Sequence, residues 1–216
     1  MTRFFVTGTD TGVGKTEVST ALLSLLVEAG ARPFAWKPCE SGGTGDGDAL
    51  WRAGGAWQPR GSVCCYQLGA PLAPALAARK EGRRLDWKRL LSAFEGLGPG
   101  PGVVEGAGGL FVPLAGGRDV IDLIEACALP VVLVARAGLG TINHTTLSLN
   151  ALAGRGLEVA AVVLCRASPA RDPSIPFNRT ELERRFPRTR FVGPVPFIAA
   201  ASRRRSALKR ALTSFL

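Results

Sequence analysis

At 216 residues, 46% of them hydrophobic, the chain can bury one substantial core but has no room for two ordinary domains and a linker, so one domain over residues 1–216 is expected. The formal charge of +10 is mostly scattered arginine, with one triplet at Arg203-Arg204-Arg205. Trp36, Trp51, Trp57 and Trp87 do not interleave with basic residues as in a single-strand-binding groove.

In chain order, Arg3–Thr7 reads as a strand and Lys15–Ala29 as a helix, with Val18, Leu22, Leu25 and Leu26 at helical spacing and Gly30 as the stop. Between them Gly8-Thr9-Asp10-Thr11-Gly12-Val13-Gly14-Lys15-Thr16 forms a glycine-rich loop ending in Gly-Lys-Thr. Strand, such a loop, then helix is the arrangement that holds a nucleoside triphosphate. Backbone N–H groups of Gly12, Val13, Gly14 and the first helical residues through Glu17 surround the phosphates, Lys15 reaches them, and Thr16 offers Mg²⁺ an oxygen. The ordinary phosphate-binding loop would have glycine at position 9; here Thr9 stands there and the glycine is Gly8, an elongated variant.

Pro33–Lys37 is predicted as a second strand, followed by a loop from Ser41 to Gly47 and a helix from about Asp48. Helices are predicted over Pro71–Lys80 and Asp86–Phe94, and a clipped strand at Val103-Val104 ending in Glu105. Asp119–Cys127 reads as helix, Pro130–Ala135 as strand, Thr141–Ala153 as helix and Val159–Leu164 as strand. Arg179–Phe186 is predicted as helix and Arg190–Val192 as a final strand, and a C-terminal helix from Ser202 puts Leu208, Leu212 and Phe215 on one face. Short apolar strands alternating with helices predict an α/β three-layer sandwich, a mostly parallel sheet covered on both sides. Ligands then gather at the carboxyl ends of strands, here Gly8, Lys37, Glu105, Arg136 and Cys165-Arg166.

Two strand-end residues have a chemical reading beside a structural one. Glu105 precedes Gly106-Ala107-Gly108-Gly109, so it either completes a metal shell with the backbone close to a ligand or partners Lys15. Lys37 is either a solvated strand end or a cation that stabilises charge during phosphoryl transfer. Asp48 is a candidate second carboxylate, with Asp46 close enough to compete. His144, the sole histidine, is expected to pack or cap. Cys39, Cys64, Cys65, Cys127 and Cys165 form no zinc spacing, which fits a reducing cytoplasm, and Met1-Thr2-Arg3 entering the first strand carries the expectation of no signal peptide. No apolar run reaches membrane-spanning length, Leu129 to Val134 being strand-sized.

Gly8-Thr9-Asp10-Thr11, Val13-Gly14-Lys15-Thr16, Lys37-Pro38, Ser41-Gly42, Asp48-Ala49-Leu50, Glu105 to Gly109 and Gly140-Thr141-Ile142-Asn143-His144 stand in an order that resembles the dethiobiotin synthetases, from the N-terminus to about Pro196-Phe197-Ile198. That resemblance implies ATP- and Mg²⁺-dependent ring closure of diaminononanoate with CO₂. It implies Thr16, Asp48 and Glu105 as the Mg²⁺ shell, and Lys15 and Lys37 as catalytic cations. Gly106, Ala107, Gly108, Pro196, Phe197 and Ile198 would join the nucleotide contacts, and Thr11 and Ser41 would touch substrate. It further implies a homodimer in which Gly140, Thr141, Ile142 and Asn143 hold the neighbouring subunit's substrate carboxylate, with no nucleic-acid or membrane partner. Many members have Asn-Asp after the fifth strand to read adenine. Cys165-Arg166 stands there instead and implies weak discrimination among bases. The competing reading is a partition-type ATPase switch that binds DNA or membrane. Such switches usually carry a second lysine at the start of the loop, where this chain has Asp10.

Overall fold

The computed structural model describes residues 2–43 and 45–213. Seven parallel strands form the main sheet, β1 (Arg3–Gly8), β2 (Phe34–Ser41), β3 (Cys64–Leu68), β4 (Gly102–Glu105), β7 (Val131–Arg136), β8 (Val159–Cys165) and β9 (Phe191–Val195), in the order β3-β2-β4-β1-β7-β8-β9. A small antiparallel hairpin, β5 (Pro113–Ala115) and β6 (Arg118–Asp119), lies between β4 and helix α5 (Val120–Cys127).

Strand side chains alternate between two apolar layers, as a period of two requires. Phe4, Val6, Ala35, Val103, Val132 and Val134 face one layer with α1 (Lys15–Glu28), α2 (Gly45–Ala53) and α8 (Ala201–Leu212), which contribute Val18, Leu22, Leu50, Leu208 and Leu212. Phe5, Trp36 and Val104 face the opposite layer, where α3 (Pro74–Lys80), α4 (Trp87–Glu95) and α5 bring Ala77, Leu90 and Ile124. Helices α6 (Thr141–Gly154) and α7 (Ile175–Arg185) cover the far half of the sheet through Leu149 and Leu182 against Leu133 and Val162.

The three-layer expectation and the main alternation are present in the structure. Several boundaries differ. β2 runs four residues past Lys37 to Ser41 because β3, which the sequence did not announce, pairs with Lys37 through Ser41. α2 begins at Gly45 rather than near Asp48, since the buried Glu40 carboxylate accepts the N–H groups of Asp46 (2.7 Å) and Gly47 (3.1 Å) and so caps the helix early. α7 starts at Ile175, four residues before the expected Arg179, with Pro176 in its first turn. Leu208 and Leu212 are buried as predicted; Phe215 lies outside the described residues. All five cysteines are free, and among the described residues no helix is long and apolar enough to cross a membrane.

Leu22, wholly buried between α1 and the sheet, should be costly to truncate. Leu22→Ala is expected to lower unfolding free energy by about 2–5 kcal/mol, read as a lower urea midpoint at unchanged slope.

Candidate active site

β1, β4 and β2 lie side by side with their carboxyl ends on one edge. Val6 pairs with Glu105 and Trp36 with Val104, which brings Lys37, one residue on, level with Glu105. A cleft of about 810 Å³ opens over this edge, lined by the Thr11–Glu17 loop, Lys37, Glu40, Ser41, Asp46, Ala107 and Gly108. It continues across β8 to Cys165, Arg166, Pro196, Phe197 and Arg204.

The loop's geometry follows from its glycines. A Cβ on Gly8 would lie 2.8 Å from the Asp10 carbonyl oxygen, so the tight entry excludes any side chain there and explains why the glycine precedes the usual position. Gly14 caps α1 at φ 106° with no side-chain cap, leaving the first N–H groups of the helix turned toward the cleft. Lys15 Nζ donates to the Asp10 carbonyl (3.0 Å). Asp10 is itself fixed, its carboxylate accepting from the Thr11 N–H (2.7 Å) and from Arg136 (2.7 Å).

One atom organises the charge. Glu105 Oε1 accepts from Lys37 Nζ at 2.5 Å and from the Thr16 hydroxyl at 2.9 Å. Lys37 Nζ also meets Asp46 Oδ2 at 3.1 Å and the Gly106 carbonyl at 3.4 Å. Burial opposes the charge on Lys37, but Glu105 and Asp46 outweigh it and hold the ammonium above its usual range. Lys15 has no comparable carboxylate; burial, then repulsion from Lys37, lowers it to about 8. Two cations therefore sit in a site with room for an anion.

Two oxygens in the cluster are buried without partners, Glu105 Oε2 and the Ser41 hydroxyl. With the Thr16 hydroxyl beside it, Glu105 offers the all-oxygen donors a hard divalent cation takes. Among the described residues no three His, Cys, Asp or Glu cluster as a complete metal cage, and a cation shared with phosphates needs only one or two carboxylates.

The remaining sequence candidates divide. Asp48 points away, bound by Arg60 through both carboxylate oxygens, one at 2.6 Å, and that hydrogen-bonded pairing holds its carboxyl below the ordinary range. The acid that the structure sets on Lys37 is Asp46, because the early start of α2 turns its first residues inward. Gly12, Val13, Glu17, Ala107, Gly108, Pro196 and Phe197 line the cleft, while Ile198 contributes a carbonyl to Arg204 at its rim. Gly140 to Asn143 lie apart, at the start of α6 beyond β7, beside exposed Leu139. His144 has no assigned chemistry, and its Nδ1 is buried without a partner.

Sequence reading passed over Glu40 and Arg204. Glu40 stands inside a matched segment but its capping partner is created only by the turn into α2. Arg204 was one of three arginines alike in sequence, and only α8 packing singles it out.

The sequence family described as AAA domain matches residues 2–205. The ATP-dependent dethiobiotin synthetase BioD of Anaeromyxobacter dehalogenans is 48% identical over 190 residues, 85% of each chain. The protein of that name from Bacillus cereus is 34% identical and covers 98% of this chain and 90% of its own. Among solved structures, a putative plasmid partition protein of Borrelia burgdorferi bound to AMPPNP aligns over 100% of this chain and 99% of its own with a TM-score of 0.57, at 11% identity, a likeness of fold. With relatives this similar across most of both lengths, the chain belongs to the dethiobiotin synthetase family.

Proposed function

We infer that this chain is an ATP-dependent dethiobiotin synthetase, which closes the cyclic urea of dethiobiotin from a diaminononanoate and CO₂ in biotin synthesis. The observation that bears most on the chemistry is the buried Lys37 ammonium, held between Glu105 and Asp46 in the cleft that the phosphate loop also lines, with the unpartnered Ser41 hydroxyl on the same strand. A phosphate loop alone accounts for nucleotide binding. A second fixed cation beside it suits an acceptor that is also an anion.

In this reading one amine adds to CO₂ and loses a proton, giving a carbamate whose oxygen is the nucleophile. Lys37 neutralises the carbamate and the transferring phosphoryl group, which would otherwise repel. Lys15 and the N–H groups at the start of α1 hold the β- and γ-phosphates and the charge that appears on ADP. The oxygen attacks the γ-phosphorus, the bond to ADP breaks, and a carbamic–phosphoric anhydride results. The second amine of the same molecule then attacks the carbamoyl carbon and phosphate leaves, a closure that tethering makes effectively intramolecular. Thr16, Glu105 and the Asp48 or Asp46 carboxylate would hold Mg²⁺, which would supply neutralisation of the phosphate charge.

A homodimer fits the same reading. Leu139 is 80% exposed and Leu147 is 60% exposed, on either side of the Gly140–Asn143 turn, so a second copy covering this edge would bury both. The α6 N–H groups would then face the neighbour's substrate carboxylate. The partition-type alternative has no support beyond shared fold, and Asp10, tied to Arg136, occupies the position where its second lysine would stand.

Incubation with ATP, Mg²⁺, bicarbonate and 7,8-diaminononanoate should yield dethiobiotin by mass spectrometry; ATP hydrolysis without that product would defeat the assignment. Lys37→Ala should cut turnover about a hundredfold, roughly 3 kcal/mol of transition-state stabilisation, while nucleotide affinity changes little. The two aspartates are separable by metal titration. Asp48→Asn should raise the Mg²⁺ concentration for half-maximal rate if Asp48 leaves Arg60 to join the metal, whereas Asp46→Asn should slow turnover at every Mg²⁺ concentration by loosening Lys37. Exchange of those two outcomes would make Asp46 the metal ligand.

A further inference from the structure

The outer end of the cleft is built differently from its phosphate end. The end of β8 carries Cys165 and Arg166, and neither is a side-chain amide. The Cys165 thiol is buried and pushed up to about 12, so it stays neutral, and a thiol is a weak hydrogen-bonding group. The Arg166 guanidinium turns back on its own loop, donating to the carbonyls of Pro169 (3.4 Å) and Ala170 (3.1 Å). What closes this end is α8.

There Arg204 makes three connections at once. Nε donates to the Ile198 carbonyl (2.7 Å), Nη2 to the Ala199 carbonyl (3.1 Å), and Nη1 to Glu17 Oε1 (2.5 Å) in the first turn of α1. Its guanidinium also lies 6.0 Å from the centroid of the Phe197 ring. A planar fork of five donors spread over three nitrogens suits this task; an ammonium's three donors leave from a single nitrogen and do not span the same set of acceptors. Val195, Pro196, Phe197, Arg204 and Leu208 line the cleft on this side, with Val195 paired to Cys165 across β8 and β9.

We propose that Arg204 is a positioning residue for the nucleotide base: by tying the backbone of Ile198 and Ala199 to Glu17 it fixes the wall against which the base lies, next to the helix that holds the phosphates. The proposal rests on the nucleotide reading of the cleft. Base affinity in this chain then comes from wall shape and main chain rather than from a side-chain amide. Neighbouring Arg203 and Arg205 have no such bonds among those described, so the middle arginine of the triplet is distinguished by geometry alone. The Leu208 and Leu212 side chains, buried one and two turns further on, anchor α8 independently of it.

Titration calorimetry with ATP, CTP and inorganic tripolyphosphate separates base from phosphate binding without requiring turnover. Arg204→Met should weaken ATP and CTP alike by about tenfold or more and leave tripolyphosphate within about twofold. In steady state the KM for ATP should rise with kcat nearly unchanged, and Arg204→Lys should recover only part of the loss. Equal weakening of all three ligands would make Arg204 a general structural brace, and a loss confined to ATP would make it a reader of adenine; either overturns the proposal, as does unchanged affinity. If wild-type protein bound neither ATP nor tripolyphosphate, the nucleotide reading itself would fail. Should Arg204→Met not fold, Glu17→Gln, which removes only the charge of the other partner, is held to the same comparison of ATP with tripolyphosphate.

Discussion

A single carboxylate oxygen, Glu105 Oε1, accepts hydrogen bonds from Lys37 and from Thr16, and the placement of the site depends on that sharing. Each of the three residues comes from a different element, β4, β2 and α1, so the contact exists only because the sheet sets β4 between β2 and β1. Glu105 is wholly buried and Lys37 nearly so. Removing two such charges from water is costly, and pairing them seldom returns more than hydrophobic packing would. The arrangement is better understood as a preorganised field than as a source of stability.

The imbalance around that pair carries the chemical meaning. Lys37 has two acids against it and keeps its proton, whereas Lys15 has only a backbone carbonyl within hydrogen-bond distance and is depressed toward neutrality. An arriving polyphosphate would supply the negative partner that Lys15 lacks, while Lys37 remains a fixed cation between Glu105 and Asp46. Cys39, two residues from Lys37 along β2, is held as an unreactive thiol by burial and does not compete as a nucleophile.

The cleft has two ends of different construction. At the phosphate end, glycines bring backbone N–H groups and helix α1 to bear on charge, which every nucleoside triphosphate shares. At the other end the wall belongs to β9 and α8, the last elements among the described residues, braced by Arg204 across to Glu17.

Much of this was legible in the residues themselves. The loop from Gly8 to Thr16, the apolar strands, and the strand-end positions of Lys37 and Glu105 are local patterns, because glycine freedom, side-chain period and helix starts act over a few residues. Boundaries set by neighbours were not legible: β2 extends to Ser41 because β3 pairs with it, and α2 begins at Gly45 because Glu40 caps it. The same early start decided which aspartate meets Lys37, a choice that spacing left open between Asp46 and Asp48. Nor could sequence distinguish Arg204 from its two neighbours. Sequence by itself determined which chemical groups were present and which strand ends carried them. Tertiary structure alone decided which groups share a proton donor or a carbonyl, because those contacts join residues up to 187 positions apart and depend on packing that no local pattern encodes.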